Sequence, residues 1–388
     1  MASHIPFISS PAALALVKNS YFDSEIVRVS LDMIVRGPSL PAGAKFWIDA
    51  GVDGLHALAS RDTSSGWYKT IKQVVGYDVI ATDSFVSKPD TNVLQNFVTS
   101  LMDLCFKHNP TWITVPQLPL VNDASRNRIN RELAKATGSW KSSSKYSGRL
   151  ILPVLFTSKK QLEGKTKRNP KVREAARCYD DSKADGFWVI DTKMIEEEGS
   201  VSLRNKQFKS IIALHEELNE KIPSTIRIAG PYWGLNLLLW ARGLIEFPVI
   251  GVGSTYQYYL PGGHSNPAGR RVAISFLKRR VGVAQLSAWL TKSKKVLGSE
   301  HPGYDELEQI SKQLMLLNDA EAARAQVAKF YKKWFDSIST TPSIGRPLSL
   351  FQDLSKAYVL GKSLPTLPEA GAARRPEAIA EPLMMNCL

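Results

Sequence analysis

The sequence predicts an α/β fold, a (β/α)8 TIM-type barrel with a helical C-terminal appendage. Three observations carry this. Short β-branched or aromatic runs recur from residue 44 to about 260, each is followed by a polar loop and then a stretch with helical spacing, and the runs number close to eight. A single large domain of this kind plus a small addition fits a chain of 388 residues.

The strand candidates are residues 45–48, 78–81, 112–115, 150–155, 186–190, 225–229 and 248–252. An eighth is sought either in 271–275 or in the N-terminal run 25–29, which alternatively makes a hairpin capping the barrel. Between the strands, Leu94, Phe97, Val98, Leu101 and Leu104 fall on one helical face behind the capping pair Asp90-Thr91. Phe208, Ile211, Ile212 and Leu218 repeat the pattern over 206–221, and 235–244 is apolar enough for a mostly buried helix. Beyond residue 280 the strand signal stops, and 283–297 and 304–338 read as helices. The division expected is 1–43 as an N-terminal capping segment, 44–282 as barrel, 283–363 as helical appendage, and 364–388 as a Pro/Ala-rich disordered tail with little to bury.

No stretch approaches the roughly 20 apolar residues needed to cross a bilayer, so no membrane partner is expected. The start Met1-Ala2-Ser3-His4-Ile5-Pro6 lacks the features of a signal peptide, and a cytoplasmic location is expected. Cys105, Cys178 and Cys387 are too scattered for a disulfide framework or a closed zinc site, and read as reduced structural thiols. The charge balance is more informative. Fifty Lys and Arg against 36 Asp and Glu give a net +14, which points to a polyanionic partner.

In such a barrel the loops after the strands build the active site, so the polar residues at strand ends are the candidates. Asp49, Asp83 and Asp191 are read as catalytic. Gln117, Lys193, Tyr232, Trp233, Tyr256 and Tyr258 are read as substrate-binding. Carboxylates there suit general acid/base work or recognition of a purine's donor edge, and the aromatic residues offer faces for a flat base. A basic stretch carrying Lys159, Lys160, Lys165, Lys167 and Arg168, and a second cluster with Arg270, Arg271, Lys278, Arg279 and Arg280, suit phosphates. Residues 251–254 offer a short glycine-containing turn as a rival phosphate cradle. His56 and His264 are the histidines nearest the mouth in sequence. No P-loop, HExxH, GxSxG or CxxC motif occurs. No cofactor or metal is called for, although three carboxylates are donors that magnesium accepts.

The order of these segments resembles the tRNA-guanine transglycosylase family and its DNA-modifying 7-deazaguanine relatives. Trp47-Ile48-Asp49-Ala50-Gly51-Val52 looks like a degenerate form of the family's first aspartate motif, and Tyr77-Asp78-Val79-Ile80-Ala81-Thr82-Asp83 like its second. Asp185-Gly186-Phe187 and the helix running into Ala241-Arg242-Gly243 are similar to further family segments. The resemblance implies that Asp49 is the acid/base group near the exchanged base and that Asp83 reads the base's donor edge. It also marks two departures: Pro248 falls where the family's nucleophilic aspartate is expected, and the family's zinc cluster has no cysteines here. Asp191 is the replacement nucleophile considered.

The leading expectation is therefore an enzyme that exchanges guanine or a 7-deazaguanine at the glycosidic bond of a nucleic acid, DNA before tRNA. The alternatives are a barrel enzyme for a small phosphorylated metabolite and a non-catalytic nucleic-acid-binding subunit whose appendage docks protein partners.

Overall fold

The computed structural model describes residues 4–388 apart from 9–10, 20, 23, 36, 38–39, 41–42, 52–54, 56–67, 70–71, 74–82, 122, 158–168, 193, 195, 197–199, 225, 252–257, 259–269, 285 and 370–373. Eight parallel strands close on themselves in chain order. They are β1 (Ile5–Ile8), β2 (Ile26–Ser30), β3 (Lys45–Asp49), β4 (Trp112–Thr114), β5 (Arg149–Phe156), β6 (Gly186–Asp191), β7 (Ile226–Ala229) and β8 (Phe247–Gly251). Closure comes from β1, which pairs with β2 on one side and with β8 on the other and so leaves no open edge.

The N-terminus thus does not cap the barrel; it supplies two of its staves. The run at 25–29 is β2, while β1 was missed because four consecutive apolar residues carry no alternation. Residues 271–275 go elsewhere: β9 (Arg271–Ile274) pairs antiparallel with β10 (Arg279–Gly282) in a separate hairpin. The strand expected at 78–81 lies outside the described residues. Trp47 and Ile48 of β3 pair directly with Trp112 and Ile113 of β4, so the eight staves close without it.

Alternation along each strand sorts the side chains into two cores. Pointing inward are Ile5, Phe7, Ile26, Trp47, Trp112, Ile151, Leu155, Trp188, Ile190, Ile228 and Val249, which fill the barrel axis. Their neighbours, among them Ile8, Val27, Val29, Ile48, Ile113, Leu152, Val154 and Val189, face the surrounding helices. Those helices are α1 (Pro11–Lys18), α2 (Leu31–Val35), α3 (Thr91–Phe106), α4 (Ala124–Ser143), α5 (Pro170–Ser182), α6 (Val201–Lys221) and α7 (Gly234–Ala241). Asp90 caps α3, its side chain accepting from Asn92 and Val93, and the buried face is the predicted one. Helices α4 and α5 meet backbone to backbone at Gly138, where a Cβ would run into the carbonyl of Asp181.

After the barrel come α8 (Leu286–Leu297), α9 (Pro302–Lys312), α10 (Ala320–Ser339) and α11 (Arg346–Ser363). The span 304–338 is two helices, because Asp319 turns its carboxylate onto the amides of Glu321 and Ala322 and starts α10 afresh. Trp240 of α7 lies against Phe335 of α10, with centroids 4.5 Å apart.

The last residues are packed rather than loose. Glu369 pairs with Arg271 and Arg279 and accepts from the Gly282 amide. Beyond it, α12 (Ala380–Met384) lays Leu383 over Gly234, and Ile379, Leu383 and Cys387 are buried. These three apolar residues recur at every fourth position, a stripe that is helical only over Ala380–Met384. Surrounded by Pro and Ala, so short a stripe is easily missed in composition. No helix among the described residues is long and apolar enough to cross a membrane.

Candidate active site at the barrel mouth

The inward register that places Trp47 in the barrel axis carries on, two residues later, to Asp49 at the carboxyl end of β3; the same step on β2 leads from Ile26 to Arg28. Both are charged residues in positions otherwise filled by hydrocarbon, and both are buried, Asp49 at 0% and Arg28 at 3% exposure. The guanidinium of Arg28 pairs with Asp49 Oδ2 and donates to the Ile8 carbonyl at 3.3 Å. Its Cζ lies over the Phe7 ring, 3.9 Å from the centroid, with Trp188 and Tyr258 further out. The Tyr258 hydroxyl donates to the same Asp49 oxygen at 3.2 Å, and the Gly51 amide reaches the other oxygen at 3.1 Å. Asp49 therefore has its charge balanced and its orientation fixed from three sides. Such a buried polar cluster is expensive to hold at the end of an apolar barrel.

Asp191 ends β6 with 2% exposure. Its amide donates to the Tyr232 hydroxyl at 2.8 Å, tying the end of β6 to the loop after β7. Burial holds the Tyr232 phenol well above its ordinary range, so it stays neutral in that bond. Asp83 differs from both carboxylates in its exposure. It is exposed and opens a short 3-10 turn, its carbonyl accepting from Val86, Ser87 and Lys88. Among the described residues, no three His, Cys, Asp or Glu side chains gather closely enough to hold a metal ion.

Several expected contacts are redirected into the fold. The Gln117 amide donates to the carbonyls of Pro116 and Asn130 and is buried. Trp233 does not line the mouth. It is fully buried, stacked on Phe330 of α10 at 5.7 Å, and donates its ring N–H to the Lys278 carbonyl. In the second basic cluster, Arg271 and Arg279 hold Glu369, Lys278 pairs with Asp353 at 3.0 Å, and Arg280 is buried with its guanidinium over Trp233. Arg270 alone of the cluster is exposed. These arginines anchor the C-terminal segment, a role that adjacent positive charges in a sequence do not distinguish from phosphate binding. Lys193, Tyr256, Lys159, Lys160, Lys165, Lys167, Arg168, residues 252–254, His56 and His264 lie outside the described residues.

Two residues of the site escaped the sequence reading. Arg28 left a usable signal, a lone cation on the inward register of an apolar strand. Glu196, the first of three consecutive glutamates, left none. It is fully buried, and its carboxylate accepts from the amides of Trp233 at 2.7 Å, Gly234 at 2.9 Å and Leu235 at 3.1 Å. An internal carboxylate thus fills the N-terminus of α7, the kind of place where barrels often receive a phosphate. Arg204, itself buried, donates to the Glu196 carbonyl at 2.5 Å and holds the loop down.

Fold and mouth together define a TIM-type α/β barrel protein, an architecture that typically carries enzymes. No protein-family model matches the chain, and no curated protein matches it.

Proposed function

We propose that the chain is a barrel enzyme whose reaction centre is the Arg28–Asp49–Tyr258 cluster, and that it acts on a base in a nucleic acid. The reaction proposed is exchange of guanine or a 7-deazaguanine at the glycosidic bond, on DNA before tRNA. The observation that carries the reading is the buried carboxylate of Asp49, clamped between a guanidinium and a phenol at the mouth, where the barrel would be more simply closed by hydrocarbon. Motif resemblance assigns Asp49 to the exchanged base, and the Tyr258 hydroxyl beside it is a second proton-bearing group within reach of the same substrate.

Pro248 sits buried within β8, paired with Ala229, so the strand position that holds the family's nucleophile offers no side chain able to attack a sugar. The proposal therefore assigns Asp49 to base recognition and proton transfer and makes no use of a covalent intermediate at that position. The rival reading, a small phosphorylated metabolite, places its phosphate at residues 251–254, of which 252–254 lie outside the described residues; the α7 N-terminus offers it no alternative cradle, because Glu196 already accepts from those amides.

The test is nucleoside mass spectrometry on digested DNA and RNA from cells supplied with 7-deazaguanine precursors and expressing the intact chain, its Asp49→Asn form, its Tyr258→Phe form, or none. A modified nucleoside formed only with the intact chain, and reduced by Tyr258→Phe, is the expected result. No change in either pool with the intact, folded chain overturns it.

A further inference from the structure

We propose that the pocket between α1 and α10 is an anion site that takes the oligophosphate group of a small ligand. Its lining is Asn19, Tyr21, Lys329, Lys332, Lys333 and Asp336, around a volume of about 450 Å³. The proposal stands apart from the mouth and from the base-exchange reading. Helix α1 leads away from the end of β1, and Asn19 and Tyr21 lie in its return to the start of β2, which places the pocket on the outer flank of the barrel.

Spacing on α10 builds the site. Residues 329, 332, 333 and 336 share one face of the helix, while the opposite face buries Phe330, Tyr331, Trp334 and Phe335 against the barrel. Among the described residues, the three ammonium groups on that face meet the Asp336 carboxylate. Asp336 pairs with Lys332 at 2.7 Å. Lys333 is exposed and makes no ion pair with a described residue, and Lys329 rests its ammonium 4.8 Å over the Tyr21 ring.

Like charges four apart, as at 329 and 333, weaken an isolated helix by a few tenths of a kcal/mol, roughly 0.2–0.5. The 329/333 pair thus does nothing for α10 itself. What it suits is a compact, multiply charged anion, because lysine binds phosphate as a mobile point charge and several can converge on one group. The Asn19 amide offers a further donor, and Tyr21 a flat surface beside the phosphates. A di- or triphosphate supplies the complementary charge, whether free or on a nucleotide.

The experiment is titration calorimetry on the full chain at low salt, with tripolyphosphate and with a nucleoside triphosphate as probes. The variants are Lys329→Ala/Lys333→Ala and, as a charge-matched control on exposed residues of α8, Lys292→Ala/Lys295→Ala. We expect one ligand per chain, affinity falling as salt rises, and a loss of about tenfold or more in the first variant only. Tighter binding of the nucleotide than of tripolyphosphate identifies a nucleotide as the ligand, and equal binding identifies the phosphate group alone. Absence of binding by both probes, binding undiminished in the first variant, or equal weakening in both variants overturns the proposal.

Discussion

Arg28 on β2 reaches forward to Asp49 on β3, one inward-facing step nearer the mouth, and the two bury their opposite charges together. The pair is set by register. Because Arg28 stands opposite Trp47 and Ser30 opposite Asp49, the arginine must extend along the barrel axis to meet its partner, and in doing so it lies across Phe7. The charge pair, the ring beneath it and the phenol of Tyr258 are thus one unit.

Removing one member leaves the other charge buried without compensation. Asp49→Asn is expected to lower stability by about 3–5 kcal/mol, and the apolar double substitution Arg28→Met/Asp49→Leu to recover most of that loss. Urea unfolding followed by tryptophan fluorescence measures both. A loss below about 1 kcal/mol in the single variant would show that the pair is not desolvated as described.

A buried histidine makes acid stability a second test. His215 on α6 is fully buried, neither ring nitrogen has a hydrogen-bond partner among the described residues, and Arg227 is close enough to disfavour a second positive charge. Burial first, and Arg227 second, lower its pKa from 6.5 to about 3. The folded state therefore holds a neutral ring, while the unfolded chain takes up a proton below its own pKa. Stability from this residue is complete above pH 6.5 and is lost as pH falls toward 3, by on the order of 5 kcal/mol. His215→Phe should flatten the pH dependence over that window. An unchanged acid limb in the variant would remove His215 as its cause.

The barrel was legible because its signals are local. Strand and helix periods at Lys45–Asp49, Arg149–Phe156, Gly186–Asp191 and Thr91–Phe106 need no knowledge of distant residues. The destinations of polar groups were not legible, since they depend on partners far along the chain. Arg279 meets Glu369 ninety residues on, Trp233 meets Phe330, and Glu196 meets the start of α7. Asp49 could be singled out by its strand end, but its partners Arg28 and Tyr258 come from opposite ends of the barrel sequence.

Close helix packing gives a third prediction. At Gly138 a methyl group would be driven into the Asp181 carbonyl of α5, and backbone cannot swing aside as a side chain does. Although alanine favours the helix by about 1 kcal/mol, Gly138→Ala should be net destabilising by about 1–3 kcal/mol as α4 and α5 are forced apart. Thermal unfolding decides the sign, and a raised melting temperature would contradict the contact.

Glu196 offers the sharpest local measurement. Its carboxylate accepts from the Trp233, Gly234 and Leu235 amides, and those amides begin the helix that α12 and α10 cover. Glu196→Ala leaves three buried donors without their partner, at a cost of about 1–3 kcal/mol each where water cannot enter. Hydrogen exchange should therefore accelerate at Trp233, Gly234 and Leu235 by on the order of a hundredfold, while amides in α3 on the far side of the barrel keep their rates. Glu196→Gln retains one acceptor oxygen but turns an N–H toward the helix start, so it should fall between the two. If exchange at those three amides stayed at the wild-type rate in Glu196→Ala, the carboxylate would not be what closes the α7 N-terminus, and the argument against a phosphate there would go with it.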